Sequence, residues 1–329
     1  MPGACIGGPA GGRRQAALHV FSGEPVNQRG RTLLELLISM VIGLVVVGAI
    51  SVVYLATMST SRQSSSTNRI SEDAAMVMAI LGNNLRMAGY SPPRAIFSPG
   101  GALVNGVKVT NPDRHFTGAG IRGCDFGFSS AANAKFDDLT CNPNAGSGQA
   151  AFVVRFEGDD VNTLAVGGNP SDCLTSGITA NTVSSYDASN YKLVESRFSV
   201  AIDPSSGTPE LFCAGSGGAA PFVRQPLMQF VEQMVIRYGI ADDGLSGNVV
   251  RYVTQTQLDA LAGSVESRWS RVVNVKLCIV MRSEGRDQKG AGNYIDCAGN
   301  SVASANGLVR RSFTSVFALR NRADFASSS

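Results

Sequence analysis

The chain has 329 residues, 44% of them hydrophobic and 16% charged, which is typical of a folded protein with one or two hydrophobic cores. The formal net charge is only +3 and no Lys/Arg-rich block occurs, so charge gives no indication of nucleic-acid binding. Many of the 37 glycines lie in Ser/Asn-rich stretches such as 142–150, which predict loops between short strands.

An uninterrupted apolar run extends from Leu36 to Ala56, and its 21 residues carry no charge. As a helix it would be about 31 Å long, the thickness of the hydrocarbon core of a bilayer. It exceeds the 7–15 apolar residues, roughly, of a cleaved secretory signal. Arginines dominate the residues before it, so the positive-inside rule predicts a cytoplasmic N-terminus, with the rest of the chain outside.

Glu35 lies at the head of this run, where a carboxylate needs an explanation. An ionisable side chain at the centre of a membrane helix costs roughly 2.5–3.5 kcal/mol, and less near the helix end. One interpretation is an interfacial carboxylate that interacts favourably with the helix dipole. The other is a carboxylate that receives its cation from another chain.

Residues 30–36 read G-R-T-L-L-E-L and adjoin the apolar run. This stretch resembles the prepilin signature of type IV pilins and type II secretion pseudopilins. The resemblance implies cleavage after Gly30 by prepilin peptidase and N-methylation of Arg31. It further implies that Glu35, with Thr32 beside it, sets subunit register by pairing with the α-amino group of a neighbouring subunit. Arg31 departs from the family pattern, which most often has Phe, and this places methylation in question more than cleavage.

Residues 1–30 are therefore predicted to be a leader that is absent from the mature protein. Thirty residues is long for such leaders. Translation could begin at Met1, or at Val26 read from an alternative start codon, and both possibilities stay open.

No proline occurs between Pro25 and Pro92, and Gly89 followed by "SPP" at 91–93 is a stop signal, which together predict one helix over residues 32–89. Residues 31–61 are expected to form its membrane and assembly half, and residues 62–89 an amphipathic half that packs on a folded body. The Ser/Thr-rich stretch 59–67 predicts fraying or a bend. Apolar residues recur at helical spacing along the second half: Ile70, Ala74, Val77, Leu81, Leu85 and Ala88.

Strand-like runs then alternate with turns, which predicts an α+β fold: a long N-terminal helix packed on an antiparallel sheet, as in pilins. Residues 90–225 form a variable, Gly-rich strand and loop region, and residues 226–329 a C-terminal sheet region. The clearest runs are 150–158, 191–202, 229–240, 248–253, 271–283 and 310–321.

Four further blocks resemble the PilW family of minor pilins. They are "LRMAGYSP" at 85–92, "VIRYGIADDG" at 235–244, "RWSRVVNVKLCIVMRS" at 268–283 and "RRSFTSVFALRN" at 310–321. Pseudopilins of the J type share the helix and a similar sheet but are usually shorter.

Six of the seven cysteines follow the apolar run, and none forms a C-x-x-C pair. An even number beyond a membrane segment predicts disulfides in an oxidising compartment rather than a metal site. Spacing alone leaves the connectivity open. Pairing of sequence neighbours is the hypothesis: Cys124–Cys141, Cys173–Cys213 and Cys278–Cys297.

Other patterns are weak. The G-x-G-x-x-G match at 118–123 lacks a preceding buried strand and a following helix, so no dinucleotide site is predicted. His115 is interpreted as a surface-loop histidine, the pair Asp242 and Asp243 as part of a β-turn, and Trp269 as a core residue that begins a strand. No catalytic residue, metal ligand or cofactor is predicted.

The resemblance implies a non-enzymatic minor pilin that helps to initiate type IV pilus assembly, in a complex at the pilus tip. Its expected partners are other minor pilins, the major pilin and prepilin peptidase, and tip complexes of the family can carry a large adhesin. It would span the inner membrane once, with a periplasmic C-terminal domain, and then enter the fibre used in twitching motility. The alternatives are a J-type secretion pseudopilin and a signal-anchored periplasmic enzyme or binding protein.

Overall fold

The computed structural model describes most of the chain from residue 32 onward, and the account below concerns those residues. They are 32–92, 103–104, 107–108, 114–116, 118–129, 134–144, 149–179, 182–184, 190–218, 222–242, 247–286, 292–304 and 306–321. The chain divides into two compact units, Met1–Ser59 and Thr60–Ser329, which are described separately.

Helix α1 spans Leu33–Met87, close to the predicted 32–89. Thr32 precedes its first turn, and Gly89 ends it with a positive φ of 76°, the left-handed conformation in which glycine commonly stops a helix. The stretch 59–67 is helical throughout, so the predicted fraying is not observed. Serine and threonine side chains are accommodated by bonds to the preceding turn, such as Ser59 Oγ to the carbonyl of Ala56 at 2.9 Å.

The second half of α1 packs on the body along one stripe, as its apolar spacing predicted. The buried positions recur every three or four residues, and each is at most 3% exposed: Ile70, Ala74, Val77, Leu81, Leu85 and Ala88. Gly82 lies in the same stripe and lets the ring of Phe317 approach the helix backbone.

The strands are numbered here in chain order. They are β1 Leu103–Val104, β2 Val107–Lys108, β3 Ile121–Cys124, β4 Ala151–Gly158, β5 Thr182–Ser184, β6 Asn190–Ile202, β7 Pro209–Gly215, β8 Gln225–Gln229, β9 Val231–Ile240, β10 Arg251–Val253, β11 Val272–Arg286, β12 Asn293–Ile295, β13 Ser301–Ala303 and β14 Leu308–Ala318. The remaining elements are a 3₁₀ turn Phe136–Asp138 and the short helices α2 Gln255–Asp259 and α3 Val265–Trp269.

Within the described residues the strands form two main antiparallel sheets. The first has the order β3-β4-β6-β7-β8, with β5 also paired to β6, and the second has the order β10-β9-β11-β14. The pairs β1-β2 and β12-β13 are separate hairpins. This is the predicted α+β fold, and the six predicted runs all contain strand. The run 229–240 is divided at Phe230, whose φ of 64° bends the chain from one sheet to the other.

The core lies between the two sheets and the buried stripe of α1. Phe152 and Phe198 from the first sheet stack with ring centroids 5.1 Å apart. Tyr238 from the second sheet meets Trp269 edge to face at 4.9 Å. Trp269 is 2% exposed, as predicted for a core residue, but it ends α3 rather than beginning a strand.

Candidate functional site

The start of α1 brings Thr32 and Glu35 together. The backbone N–H of Glu35 donates to the Thr32 carbonyl at 3.0 Å and lies 3.4 Å from Thr32 Oγ1, so Thr32 acts as the cap of the first turn. The exposed Glu35 side chain stands at the positive end of the helix dipole, where a carboxylate is favoured. Gly30 and Arg31, the predicted cleavage and methylation residues, lie outside the described residues.

The helix beyond Glu35 presents apolar side chains on every side. All large hydrophobic residues from Leu33 to Leu55 are between 48% and 81% exposed. Among the described residues α1 is the one helix long and apolar enough to cross a membrane. A soluble monomer rarely exposes so large an apolar surface, so this segment requires lipid or the apolar helices of other chains around it.

Disulfides close three loops in the body. The structure joins Cys124 to Cys141, Cys173 to Cys213 and Cys278 to Cys297, with sequence separations of 17, 40 and 19 residues. Cross-links of this kind restrict the unfolded chain and stabilise a body that is rich in loops. The third one attaches the β12-β13 hairpin to β11.

A buried polar cluster ties the segment after α1 to the first sheet. His115 Nδ1 lies 2.8 Å from Glu157 Oε1, and Ser91 Oγ donates to Glu157 Oε2 at 2.5 Å. The ring of Tyr191 stacks on His115 at 5.0 Å, and burial, with the nearby charge of Glu157, raises the pKa of Tyr191. The interpretation of His115 as a surface-loop residue is wrong, because its side chain is only 9% exposed.

This cluster does not have the geometry of a catalytic triad. Ser91 donates to the carboxylate and not to the imidazole, so histidine is not placed to deprotonate the hydroxyl. Ser91 also accepts the backbone N–H groups of His115 and Phe116, both at 3.2 Å. These three contacts of Ser91 are those of a buried structural network.

A sequence signal for this network existed in β4. Its eight residues are all buried although they include Arg155 and Glu157. A strand buried on both faces can hold charged side chains only if each finds a partner. Charged residues inside the apolar run at 150–158 could therefore have indicated a buried ion pair.

The glycines at 118–123 serve packing. A Cβ at Gly120 would lie 2.0 Å from the backbone nitrogen of Gly89, and one at Gly123 would lie 1.8 Å from the hydroxyl of Tyr238. Strand β3 begins at Ile121, within the motif, which is incompatible with a phosphate loop leading into a helix. Among the described residues no group of three or more His, Cys, Asp or Glu could hold a metal ion. Asp243, part of the predicted β-turn, lies outside them.

An apolar helix with Glu35 in its Thr32-capped first turn is followed by an antiparallel body with three disulfides, the arrangement that the prepilin resemblance predicted. Residues 26–51 match the prokaryotic N-terminal methylation motif. Residues 197–321 match the family of type IV pilus-assembly protein W, PilW. The chain is thus similar to PilW over residues 197–321 and to prepilin-type N-termini over residues 26–51, and the resemblance to both is confirmed.

Comparisons with curated proteins and with solved structures do not extend this assignment. No curated protein matches the chain. A type IV-like pilin from Thermus thermophilus is similar in structure, with 13% sequence identity and a TM-score of 0.38 over 78% of this chain and 98% of the other.

Proposed function

We propose that the chain is a minor pilin, a non-enzymatic structural subunit that helps to initiate type IV pilus assembly in a complex at the pilus tip. The observation that carries this proposal is the start of α1, where the carboxylate of Glu35 heads a helix whose large apolar side chains are all exposed. Such a helix is tolerated in lipid as a monomer and among other apolar helices in a fibre.

Glu35 would fix the axial position of the subunit when its helix moves from the membrane into the fibre. A carboxylate near the membrane surface costs little, but inside a bundle of helices it needs a cation. We propose that prepilin peptidase cuts after Gly30 and that Arg31, then methylated, provides the new N-terminus. The α-amino group of a neighbouring pilin would supply the cation for Glu35.

A subunit with this function would first lie in the inner membrane and would then enter the pilus fibre. The N-terminus would be cytoplasmic and the disulfide-bonded body periplasmic, where cysteines are oxidised. Other minor pilins and the major pilin would contact the helix, and a large adhesin could be carried at the tip.

The replacement Glu35→Ala tests this proposal in the native host. We expect normal membrane insertion and leader removal but far fewer surface fibres, because the register contact is lost. Glu72→Ala is the matched control, since Glu72 is an exposed carboxylate on the same helix within its second half, and it should leave the fibre count unchanged. A normal fibre count with Glu35→Ala would contradict the proposed role.

Two alternatives give different results. A J-type secretion pseudopilin would also depend on Glu35, but its loss would impair protein export and leave surface fibres intact. A signal-anchored periplasmic enzyme or binding protein would keep residues 1–30 and be indifferent to Glu35→Ala. Intact mass measurement of the purified protein separates the last case directly, since it reports the leader, the methyl group and the oxidised cysteines together.

A further inference from the structure

Strand β9 has a partner strand along the whole of one edge but along only a short part of the other edge. Strand β11 pairs with β9 from Val231 to Ile240, whereas β10, on the other side, pairs only with Tyr238, Gly239 and Ile240. Within the described part of the chain no strand pairs with residues 231–237 on that side. A strand paired on one side directs the N–H and C=O groups of alternate residues outward. Residues 231–237 of β9 therefore have no partner on that side among the described strands, and alternate residues direct hydrogen-bonding groups toward it. One backbone group of this stretch, the Ile236 carbonyl, accepts a hydrogen bond from Arg237 Nη1 at 3.1 Å, which an incoming strand would have to replace.

Strand β6 has a shorter free edge nearby. Its pairing with β4 begins at Ala151, opposite Ser199, while β6 itself continues to Ile202. The other side of β6 stays paired with β7 up to the contact of Ile202 with Pro209. Among the described strands, none therefore pairs with residues 200–202 on the β4 side.

These two edges border the same cavity, whose volume is about 840 Å³. Six consecutive residues of β9, Glu232–Arg237, line it, together with residues 200–202 of β6. Because side chains alternate between the faces of a strand, a consecutive run means that the strand edge borders the space. A second cavity of about 430 Å³ shares four lining residues with the first: Phe126, Gln149, Val200 and Ala201.

We propose that this groove, defined by residues 200–202 and 232–237, binds an extended segment of a different polypeptide chain by strand addition. The segment would hydrogen-bond to the free edge of β9 and fill the space beside β6. A segment of seven residues is about 23 Å long, which matches the free part of β9. This inference deepens the proposed function by describing how the body selects a partner chain.

The side of the groove toward the core is apolar. Val200, Met234 and Ile236 all belong to the buried core cluster and also line the groove. Side chains of the added segment that face this side must be apolar at alternate positions.

The outward side carries two cations. Arg237 lies opposite Lys276, and Arg282 is six residues further along β11, hence on the same face. Arg282 Nε is buried with no hydrogen-bond partner among the described residues, and its guanidinium lies 5.6 Å from the centroid of the Phe230 ring. The structure records no ion pair for Arg237 or Arg282 within the described residues.

The charge pattern specifies the occupant further. Glu232, the acidic residue of β9 in the groove, is already bound by Arg310 through two hydrogen bonds of 2.5 and 2.8 Å. The two arginines therefore call for carboxylates on the partner, at outward positions about six residues apart in an extended segment. The occupant is thus an alternating segment with an acidic residue near each end.

A different chain fits better than a second copy of this one. The described strands of five or more residues all lie within a sheet already, so a second copy would have to release one of them. The recess lies between two sheets and has room for a single segment, not for the edge of another folded sheet.

Photo-crosslinking of the full-length protein in its native host tests the proposal. Benzoylphenylalanine is placed in turn at Gln233, Val235 and Arg237, and the crosslinked peptides are mapped by mass spectrometry. Strand addition predicts that all three reach one segment of one partner chain, with a lower yield at Arg237 because the replacement there also removes one of the two cations. When the crosslinker position moves by two residues along β9, the crosslinked residue of the partner segment should also move by two residues, always in the same direction. Val316, exposed on β14 of the same sheet but outside the groove, is the control position and should not reach that segment.

Scattered partner residues, no crosslink at the three positions, or the same segment captured from Val316 would overturn strand addition. Mapping onto a second copy of this chain would overturn the choice of occupant. Because the pattern is read without counting fibres, its failure is distinct from failure of the Glu35 experiment.

A charge exchange supplies a second measurement. Arg237→Glu should reduce the crosslink yield at Val235 about tenfold, and an acidic-to-arginine change at the mapped partner residue should restore it. Arg311→Glu, an equal charge reversal at an exposed position of β14 outside the groove, is the matched control and should leave the yield unchanged. Equal loss in both variants, or failure of the exchange to restore the yield, would overturn the assigned charge contact.

Discussion

Replacing Gly120 by alanine tests whether the glycine-rich stretch at 118–123 is a packing device. An added Cβ would meet the nitrogen of Gly89 at 2.0 Å, its Cα at 2.5 Å and the carbonyl carbon of Ala88 at 2.6 Å. All three are backbone atoms at the end of α1, so no side chain can rotate away. The helix end and strand β3 would have to separate.

The magnitude follows from what that separation breaks. Overpacking of a close contact costs about 1–3 kcal/mol. The same contact is framed by two backbone hydrogen bonds of 2.9 Å, from Gly89 N–H to the Arg155 carbonyl and from Arg155 N–H to the Gly120 carbonyl. Losing good geometry in both adds about 1–3 kcal/mol. We expect Gly120→Ala to lower the free energy of unfolding of the body by about 3–5 kcal/mol.

The single tryptophan makes the assay direct. Trp269 is 2% exposed in the core of the body, so its fluorescence during denaturation of the detergent-solubilised full chain reports unfolding of that unit. Gly285→Ala is the control, because a Cβ there meets nothing within 4 Å, and its effect should lie between zero and a gain of about 1 kcal/mol. A loss of less than about 1 kcal/mol for Gly120→Ala would refute the packing argument.

Three further changes have defined outcomes in the same assay. Leu81→Ala should cost about 2–5 kcal/mol because Leu81 is fully buried, whereas Met76→Ala, exposed on the same helix, should change stability by less than about 0.5 kcal/mol. Replacing both Cys173 and Cys213 by serine should cost about 4 kcal/mol, from the loop-closure entropy of a 40-residue separation. Hydrogen bonds, first of all the one from the Asn300 backbone, lower the pKa of Asp296. The carboxylate therefore stabilises the fold above the usual carboxyl pKa, and this contribution is lost as the pH falls through the lowered pKa. Asp296→Asn should abolish that part of the acid dependence of unfolding.

The helix and the sheets were predictable because their signals are local. Apolar spacing identified the buried stripe from Ile70 to Ala88, and glycine at position 89 predicted the stop. The bend at Phe230 could not be foreseen, since a non-glycine residue with positive φ has no sequence mark. It separates β8 from β9, although the sequence reads as one apolar run.

The assembly motif could be predicted from the sequence and the groove could not, because only the motif is local in the chain. Thr32 and Glu35 are three residues apart, so a motif contains their whole relationship. The edges of β6 and β9 come from separate parts of the chain and become a groove only because β4 begins late and β10 ends early. Unequal strand lengths, not residue types, create the free hydrogen-bonding groups, and a single sequence does not reveal which strands will be short.

This contrast bears on how a pilin-like subunit finds its place. Packing between apolar helices is non-directional and supplies affinity for any similar helix. A single carboxylate can set the register between subunits, but it cannot distinguish one pilin from another. Selection among partners therefore has to come from the body, where hydrogen-bonding edges and charges have fixed positions. Both edges of the proposed groove fall within residues 197–321, the part of the chain that matches PilW, whereas the methylation motif covers only residues 26–51. If selectivity resided in the helix instead, a chimaera with this helix on another pilin body would keep the partner of this chain. The groove predicts that the partner follows the body.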